Sequence, residues 1–252
     1  MKSSMKFNET YLVSHKRTHL SEFELAKLKR HPDYTFPEDL SDFLLKFGPG
    51  EYCGCYYIFQ PEDLLSGQAA CREVWSESFF FDRDKSALSE QEVLQTTWVG
   101  RTLDGDEVVY QPTGQVGFYV LPRHSDVILR IGNNFGEVLD WFSSSGVLYR
   151  PSLVKWFCTF EDRCRLHLVK DEVIVHSEAL ALVSETLGVE HLDVDQAQDF
   201  SIFFCPKISG YAHVHTNNLD IHHDLDFDSE VCRTVEEKYY RLGFRLVEHY
   251  RP

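Results

Sequence analysis

The sequence predicts an α+β fold, in which helices and hairpin-linked strands occupy successive stretches of the chain. Two segments before residue 50 have the apolar spacing of helices, whereas short strand-like runs separated by turn dipeptides follow from Trp98. A serine-rich break at Ser143–Gly146 separates this pattern from a second one. We therefore predict one unit over residues 15–145 and a smaller α+β unit over residues 151–252.

The helices of the first unit have clear start and stop signals. Ser21 and Glu24 have the spacing of a capping box, which predicts a helix to about Arg30. A second helix is predicted between Pro37, which suits the first helical turn, and Gly48, which suits a left-handed C-terminal cap. Its apolar stripe consists of Leu40, Phe43, Leu44 and Phe47. A later helix is expected behind an N-terminal cap at Asn134.

The strands of the first unit are rich in aromatic and β-branched residues. Residues 52–59 are typical of one strand, and Asp104-Gly105 predicts a hairpin turn. Further strands are predicted over residues 107–111, 117–121 and 126–131. The apolar run Phe79–Phe81 could begin another strand.

The second unit is expected to contain a hairpin of residues 165–169 and 172–176, a helix over residues 177–187, and strands over residues 200–205 and 211–216. A last helix capped by Asp228 and a closing strand over residues 244–250 follow. We interpret the stretch between these elements, which is rich in histidine and aspartate, as a loop.

Charge is the strongest signal in the composition. The chain has 40 acidic and 25 basic residues, a net charge of −15, and both halves share the excess. Direct contact with a nucleic-acid backbone is disfavoured because it requires a positive face. A basic partner is favoured, since the negative field would speed its encounter. The alternative is that the charge serves only solubility.

The compartment is predicted to be the cytoplasm. No stretch approaches the roughly 18 apolar residues of a membrane-spanning helix, and the first residues lack the apolar segment of a signal peptide. The seven cysteines include no Cys-x-x-Cys pair, so free and mostly buried thiols in a reducing compartment are expected. Contact with a membrane is not expected.

No pattern in the sequence identifies an enzyme. Phosphate-binding glycine motifs, the Gly-x-Ser-x-Gly elbow and His-Glu-x-x-His are all absent, so we predict no catalytic residues and no cofactor. Four histidines are weak candidates for a metal site, but their spacing matches no zinc signature, and we expect no metal there. They are His213, His215, His222 and His223. An enzyme or metal protein with its site in residues 151–252 remains an alternative.

Candidate partner-binding residues come from the aromatic first half, because tyrosine and tryptophan are favoured at interfaces. We predict Tyr56, Tyr57 and Trp98, together with Asp104 and Asp106 of the predicted turn. Core packing of these aromatic residues is the competing interpretation.

Residues Phe36–Gly50 resemble the N-terminal signature of the SUKH superfamily. In that signature a helix ends in Phe-Leu and is followed by a glycine-rich turn. The preceding helix, the Trp98–Asp106 segment and the helix around Trp141 fit the family's order of elements. The resemblance covers about residues 15–145. It implies a mainly antiparallel sheet with flanking helices, and action by binding a protein, without shared catalytic residues. The family includes immunity proteins of bacterial toxin systems and a fungal regulator of cell-wall assembly.

The leading hypothesis is therefore a cytoplasmic protein-binding module, an immunity protein that neutralises a basic toxin by stoichiometric binding. A regulatory adaptor of the fungal type is the first alternative. The enzyme or metal protein is the second.

Overall fold

The computed structural model describes residue 7 and residues 9–14, 20–31, 34–77, 87–125, 127–160, 163–195, 200–224 and 229–250. The predictions at Phe79–Phe81, Asp126 and Asp228 lie outside these ranges. The chain forms two compact units. Residues 11–14, with strand β1 (Tyr11–Leu12), and the chain from Phe160 belong to the second unit, and the other described residues belong to the first.

The boundary between the units lies after Thr159 and not at the predicted serine-rich break, Ser143–Gly146. The reason is a strand, Trp156–Thr159, that pairs with Gly50–Tyr52 and belongs to the first unit. Trp156 and Phe157 are both buried there. The first unit therefore extends beyond the predicted residue 145, and the second begins later than residue 151.

The described residues of the first unit form five helices: α1 (Glu22–Lys29), α2 (Glu38–Phe47), α3 (Pro61–Glu77), α4 (Glu90–Leu94) and α5 (Phe135–Ser144). The predicted capping box is present, because the backbone N–H of Glu24 donates to Ser21 while the Glu24 carboxylate accepts from the Ser21 backbone. Gly48 ends α2, as predicted, but its φ of 79° and ψ of −173° lie outside the left-handed helical region that the predicted cap would have. No helix in the described ranges is both long and apolar enough to cross a membrane.

The sheet of the first unit contains β2 (Gly50–Tyr52), β3 (Tyr56–Ile58), β4 (Thr97–Thr102), β5 (Glu107–Gln111), β6 (Gly117–Leu121), β7 (Leu129–Gly132) and β8 (Trp156–Thr159). Their order is β8-β2-β3-β4-β5-β6-β7, with antiparallel neighbours throughout. The predicted single strand over residues 52–59 is two strands, because a tight turn with Cys53 at φ 51° reverses the chain.

The core of the first unit contains a cluster of phenylalanines. Phe43 of α2 lies at its centre, and four ring centroids lie within 4.8–5.3 Å of the Phe43 ring. The four rings are those of Phe7, Phe47, Phe135 and Phe157. Because these residues come from distant parts of the chain, the cluster joins helices α2 and α5 to strand β8.

The second unit contains β9 (Arg163–Lys170), β10 (His191–Asp195), β11 (Phe200–Cys205), β12 (Gly210–His215), β13 (Asn218–Asp224) and β14 (Phe244–Tyr250). They form an antiparallel sheet in the order β10-β11-β12-β13-β9-β14. Helices α6 (His176–Thr186) and α7 (Ser229–Arg241) complete the unit. The α+β prediction is correct for both units, and the last helix and closing strand lie where expected.

Two predictions for the second unit are wrong. Residues 172–175 form no strand. The predicted hairpin is absent because β9 pairs with β13 and β14 and not with residues 172–176. Residues 218–224 of the stretch interpreted as a loop form β13, an interior strand of the sheet. Every second residue of β13, namely Leu219, Ile221 and His223, lies on one buried face. The polar residues between them concealed this strand periodicity in the sequence.

Six cysteines carry free thiols, five of them buried and Cys53 partly exposed, which agrees with the prediction. The side chain of Cys232 lies outside the described part of the chain.

Candidate functional site

Two of the predicted partner-binding aromatics lie in the interior. Tyr56 is 0% exposed, stacks on Phe142 at 4.6 Å and donates its hydroxyl to the carbonyl of Val99. Trp98 is 5% exposed and packs against Phe59 with ring centroids 5.0 Å apart. A buried side chain offers no surface to a partner, so the expectation for Tyr56 and Trp98 is corrected to core packing.

The two acids of the turn differ. Asp106 is 5% exposed, and its carboxylate accepts from the Thr102 hydroxyl at 2.8 Å and the Arg123 backbone N–H at 2.8 Å. Asp106 therefore stabilises the turn. Because it is buried, the prediction that it contacts a partner is corrected. Asp104 is exposed at the tip of the same turn. Tyr57 is half-buried, and burial with nearby Glu51 raises the pKa of its hydroxyl to about 12.

A cleft of about 430 Å³ lies between α3 and the strands β4, β5 and β6. Its lining residues are Ala70, Cys71, Val74, Trp75, Arg101, Gly105, Glu107, Leu121, Pro122 and Arg123. Val74 is 58% exposed, while the other large apolar side chains of the lining, Trp75 and Leu121, are buried. The cleft therefore has an apolar floor and one accessible apolar wall, as ligand-binding clefts commonly have.

Two arginines supply the positive charge of the cleft. Arg101 forms a 2.6 Å ion pair with Glu107 and lies over the Trp98 ring at 5.5 Å. The Arg123 guanidinium contacts the carbonyl of Asp104 at 3.5 Å. Burial raises the pKa of Glu107, and the Arg101 hydrogen bond opposes that rise. Arg101 and Glu107 of the cleft are thus already paired with each other.

The Cys71 thiol is the sulfur nucleophile among these lining residues. Burial, with a smaller effect of Glu107, raises the pKa of the thiol to about 12 against the opposing effect of Arg101. It therefore stays protonated at neutral pH, and a protonated thiol is a poor nucleophile. The chemistry available in the cleft is apolar contact and ionic or hydrogen-bonded recognition.

The four candidate histidines do not converge. Residues that oppose one another in an antiparallel pair share a face of the sheet, and successive residues alternate. His213 and His215 therefore face away from the buried residues Ala212 and Val214, and His222 faces the same outer side. His223 points to the opposite, helix-covered face. The predicted constellation is thus divided between two faces of the sheet.

The outer face carries a different polar cluster. The carboxylate of Asp220 accepts from Arg165 Nε at 2.9 Å and lies 2.7 Å from Nδ1 of His167. Burial raises the pKa of Asp220, but the hydrogen bonds of His167 and Arg165 outweigh burial and hold it below its usual range. The ionised carboxylate therefore stabilises the folded unit.

This cluster predicts a pH-dependent stability. The contribution of Asp220 is complete above the unfolded carboxyl pKa of about 3.9 and is lost as the pH falls through the lower folded value. We expect Asp220→Asn to cost about 1–2 kcal/mol of unfolding free energy at pH 7, and the difference from the parent to shrink below pH 4. Urea unfolding of both proteins between pH 3 and 7, values chosen to span that pKa of about 3.9, measures it.

Asp171→Asn is the matched control, because the Asp171–Arg245 pair is exposed and 3.0 Å long. Exposed pairs contribute little, so this variant is expected to follow the parent at every pH. An Asp220→Asn deficit that stays constant down to pH 3 would contradict the assignment, since that pH lies below the unfolded pKa of about 3.9.

Compared with models of known protein families, with curated proteins and with solved structures, the chain matches none of them.

Sequence reasoning assigned no site to α3, which provides one wall of the cleft. The signal was present, because Leu64, Gln68, Cys71 and Trp75 recur at helical spacing and are all buried. Their mixed polarity concealed the stripe. Cys164 and His249 of the second unit each have a potential ligand atom within 4.8 Å of one of His223. They were missed because they lie 59 and 26 positions from His223 in the sequence.

Proposed function

We propose that the protein is a cytoplasmic protein-binding module whose first unit receives an apolar side chain of a basic partner. The observation that carries the proposal is the cleft beside α3, with its buried apolar floor and the exposed Val74. Interface anchors are typically apolar or aromatic side chains inserted into such pockets. The protonated Cys71 and the paired Arg101–Glu107 favour binding over chemistry on the bound group.

The net charge of −15 supports a basic partner. Charge distributed over both units acts as a steering field, which salt screens over about 8–10 Å at physiological ionic strength. Lasting affinity must then come from desolvated contacts in the cleft. Asp104 is exposed and directly precedes Gly105, which lines the cleft. We expect its carboxylate to bind a cationic side chain of the partner at the rim.

The resemblance to the SUKH superfamily supports a more specific proposal, an immunity protein that neutralises a toxin by stoichiometric binding. The Trp98–Asp106 segment that carries part of this resemblance forms β4 and the turn after it, and β4 supplies Arg101 to the cleft. A regulatory adaptor would use the same cleft for a different partner. Identification of the protein that co-purifies with the full chain separates the two.

Substitution of Val74 tests the cleft. We expect Val74→Gln to weaken binding of the co-purified partner at least about tenfold, which corresponds to about 1.4 kcal/mol, because a polar side chain replaces apolar contact. Val147→Gln is the control, because Val147 lies in the same unit, is 59% exposed and does not line the cleft. Both substitutions preserve net charge, so electrostatic steering is unchanged.

Binding rates are to be measured at low and high salt. The association rate should fall as salt rises, while the Val74→Gln effect should reside in dissociation. Equal effects of the two valine substitutions would remove the cleft from the proposal. A strongly acidic partner would refute the steering, and turnover of the partner by sub-stoichiometric amounts of the protein would refute binding as its function.

A further inference from the structure

We infer that Cys164, His223 and His249 form a zinc-binding site in the second unit. One ligand atom from each residue, the Cys164 sulfur and one ring nitrogen from each histidine, lies within 4.8 Å of the other two. Cys164 and His223 are buried and His249 is half-buried. This site shares only His223 with the four histidines that the sequence singled out, and it does not depend on the cleft of the first unit.

The sheet itself brings the three side chains together. Cys164 of β9 and His223 of β13 are directly opposed partners, so they project from the same face. Strand β9 lies between β13 and β14, which places His249 on the other side of Cys164. The three ligands therefore come from three adjacent strands of one sheet, a rigid support of the kind that precise metal sites need.

A β-bulge determines which way His249 points. Leu246 opposes Leu168, but the register shifts between Leu246 and Glu248, and His249 then opposes Leu166. Leu166 and Leu168 lie on the same face as Cys164, because they follow it at intervals of two. Without the extra residue, His249 would face the opposite side. Bulges commonly re-aim side chains beside functional sites.

A carbonyl or carboxylate oxygen lies beside Nδ1 of each histidine. Nδ1 of His223 donates to the carbonyl of Asp224 at 2.9 Å, since a carbonyl can only accept. In the neutral imidazole the proton then lies on Nδ1 and the lone pair on Nε2. Nδ1 of His249 lies 3.5 Å from a carboxylate oxygen of Glu236 on α7. A carbonyl or carboxylate behind each imidazole is the usual outer shell of zinc-ligating histidines.

One thiolate and two imidazoles suit Zn²⁺, a borderline-soft cation that binds sulfur at about 2.3 Å and nitrogen at about 2.0–2.1 Å. Tetrahedral bonds of those lengths place two nitrogens, or a sulfur and a nitrogen, about 3.3–3.6 Å apart, so small side-chain rotations close the set around the ion. On binding, the Cys164 S–H bond breaks, the sulfur bonds to zinc, and the proton leaves to solvent. Three protein ligands leave a fourth coordination position for water or another donor.

The test uses the tag-free full chain, Zn²⁺ and, as a spectroscopic probe, Co²⁺. We expect one zinc per chain by elemental analysis after dialysis, and a thiolate-to-cobalt charge-transfer band with tetrahedral intensity on cobalt addition. Cys164→Ser and His249→Ala should each lose the stoichiometric zinc. Glu236→Gln, which alters only the second shell, should weaken zinc affinity about 10–100-fold.

The control is His213→Ala, because His213 lies in the same sheet but on its outer face. It should retain full zinc content. Because Glu236 lies on a helix surface, its variant is expected to fold even if Cys164→Ser does not, and the cobalt spectrum needs no variant at all. A cobalt complex without a thiolate band, no stoichiometric zinc in the parent, or zinc retained by His249→Ala would each overturn the site.

Discussion

Replacing Phe43 by alanine is expected to lower the unfolding free energy of the first unit by about 3–5 kcal/mol, the usual cost of deleting a buried aromatic ring. The ring is 0% exposed and touches four other phenylalanine rings. Because those rings come from α2, α5, β8 and Phe7, they cannot collapse together into the space left. Denaturant unfolding followed by tryptophan fluorescence measures the loss.

Phe23→Ala is the matched control. Phe23 is 70% exposed on α1, where Lys27 lies 5.0 Å from its ring. We expect a change within about 0.5 kcal/mol, as for most surface substitutions. If the two variants lost similar stability, the phenylalanine cluster would not be the core that its packing indicates.

Gly210→Ala is expected to destabilise the second unit by about 3 kcal/mol, at the upper end for overpacking. A Cβ at Gly210 would lie 1.9 Å from the carbonyl oxygen of His222 and 3.1 Å from the Cα of His223. Both atoms belong to the backbone of β13, so no side-chain rotation relieves the clash and β13 must move. Such a shift displaces His223, and zinc uptake should fall with stability.

The double variant Gly210→Ala with His222→Ala distinguishes backbone from side-chain causes. The carbonyl of residue 222 remains in that variant, so stability should not recover relative to His222→Ala alone. Recovery in urea unfolding would place the conflict with the imidazole and contradict the backbone assignment.

Local signals in the sequence were sufficient for much of the fold. The capping box at Ser21 and the glycine stop at Gly48 each depend on a few neighbouring residues, and the structure has both. The Asp104-Gly105 turn and the final helix and strand were predicted for the same reason. Contacts between distant residues carried no such signal. The serine-rich break suggested that the first unit ends at residue 145. It ends at Thr159, because β8 pairs with β2.

The candidate sites depended on distant contacts and were therefore mostly missed. Tyrosine and tryptophan are typical of interfaces, but both Tyr56 and Trp98 are buried. The sequence does not specify which side of each strand faces the core. The histidine-rich stretch was wrongly interpreted as a loop. Only the pairing of β13 with β9, and the bulge in β14, associate His223 with Cys164 and His249.

The late position of β8 in the chain has a consequence for biosynthesis. Until Thr159 has left the ribosome, β2 pairs with β3 on one side only, and its other edge exposes unpaired N–H and C=O groups. Open strand edges recruit other chains and promote aggregation. A polypeptide truncated between Gly146 and Lys155 would therefore leave this edge open and is expected to aggregate, although it contains every predicted helix of the first unit.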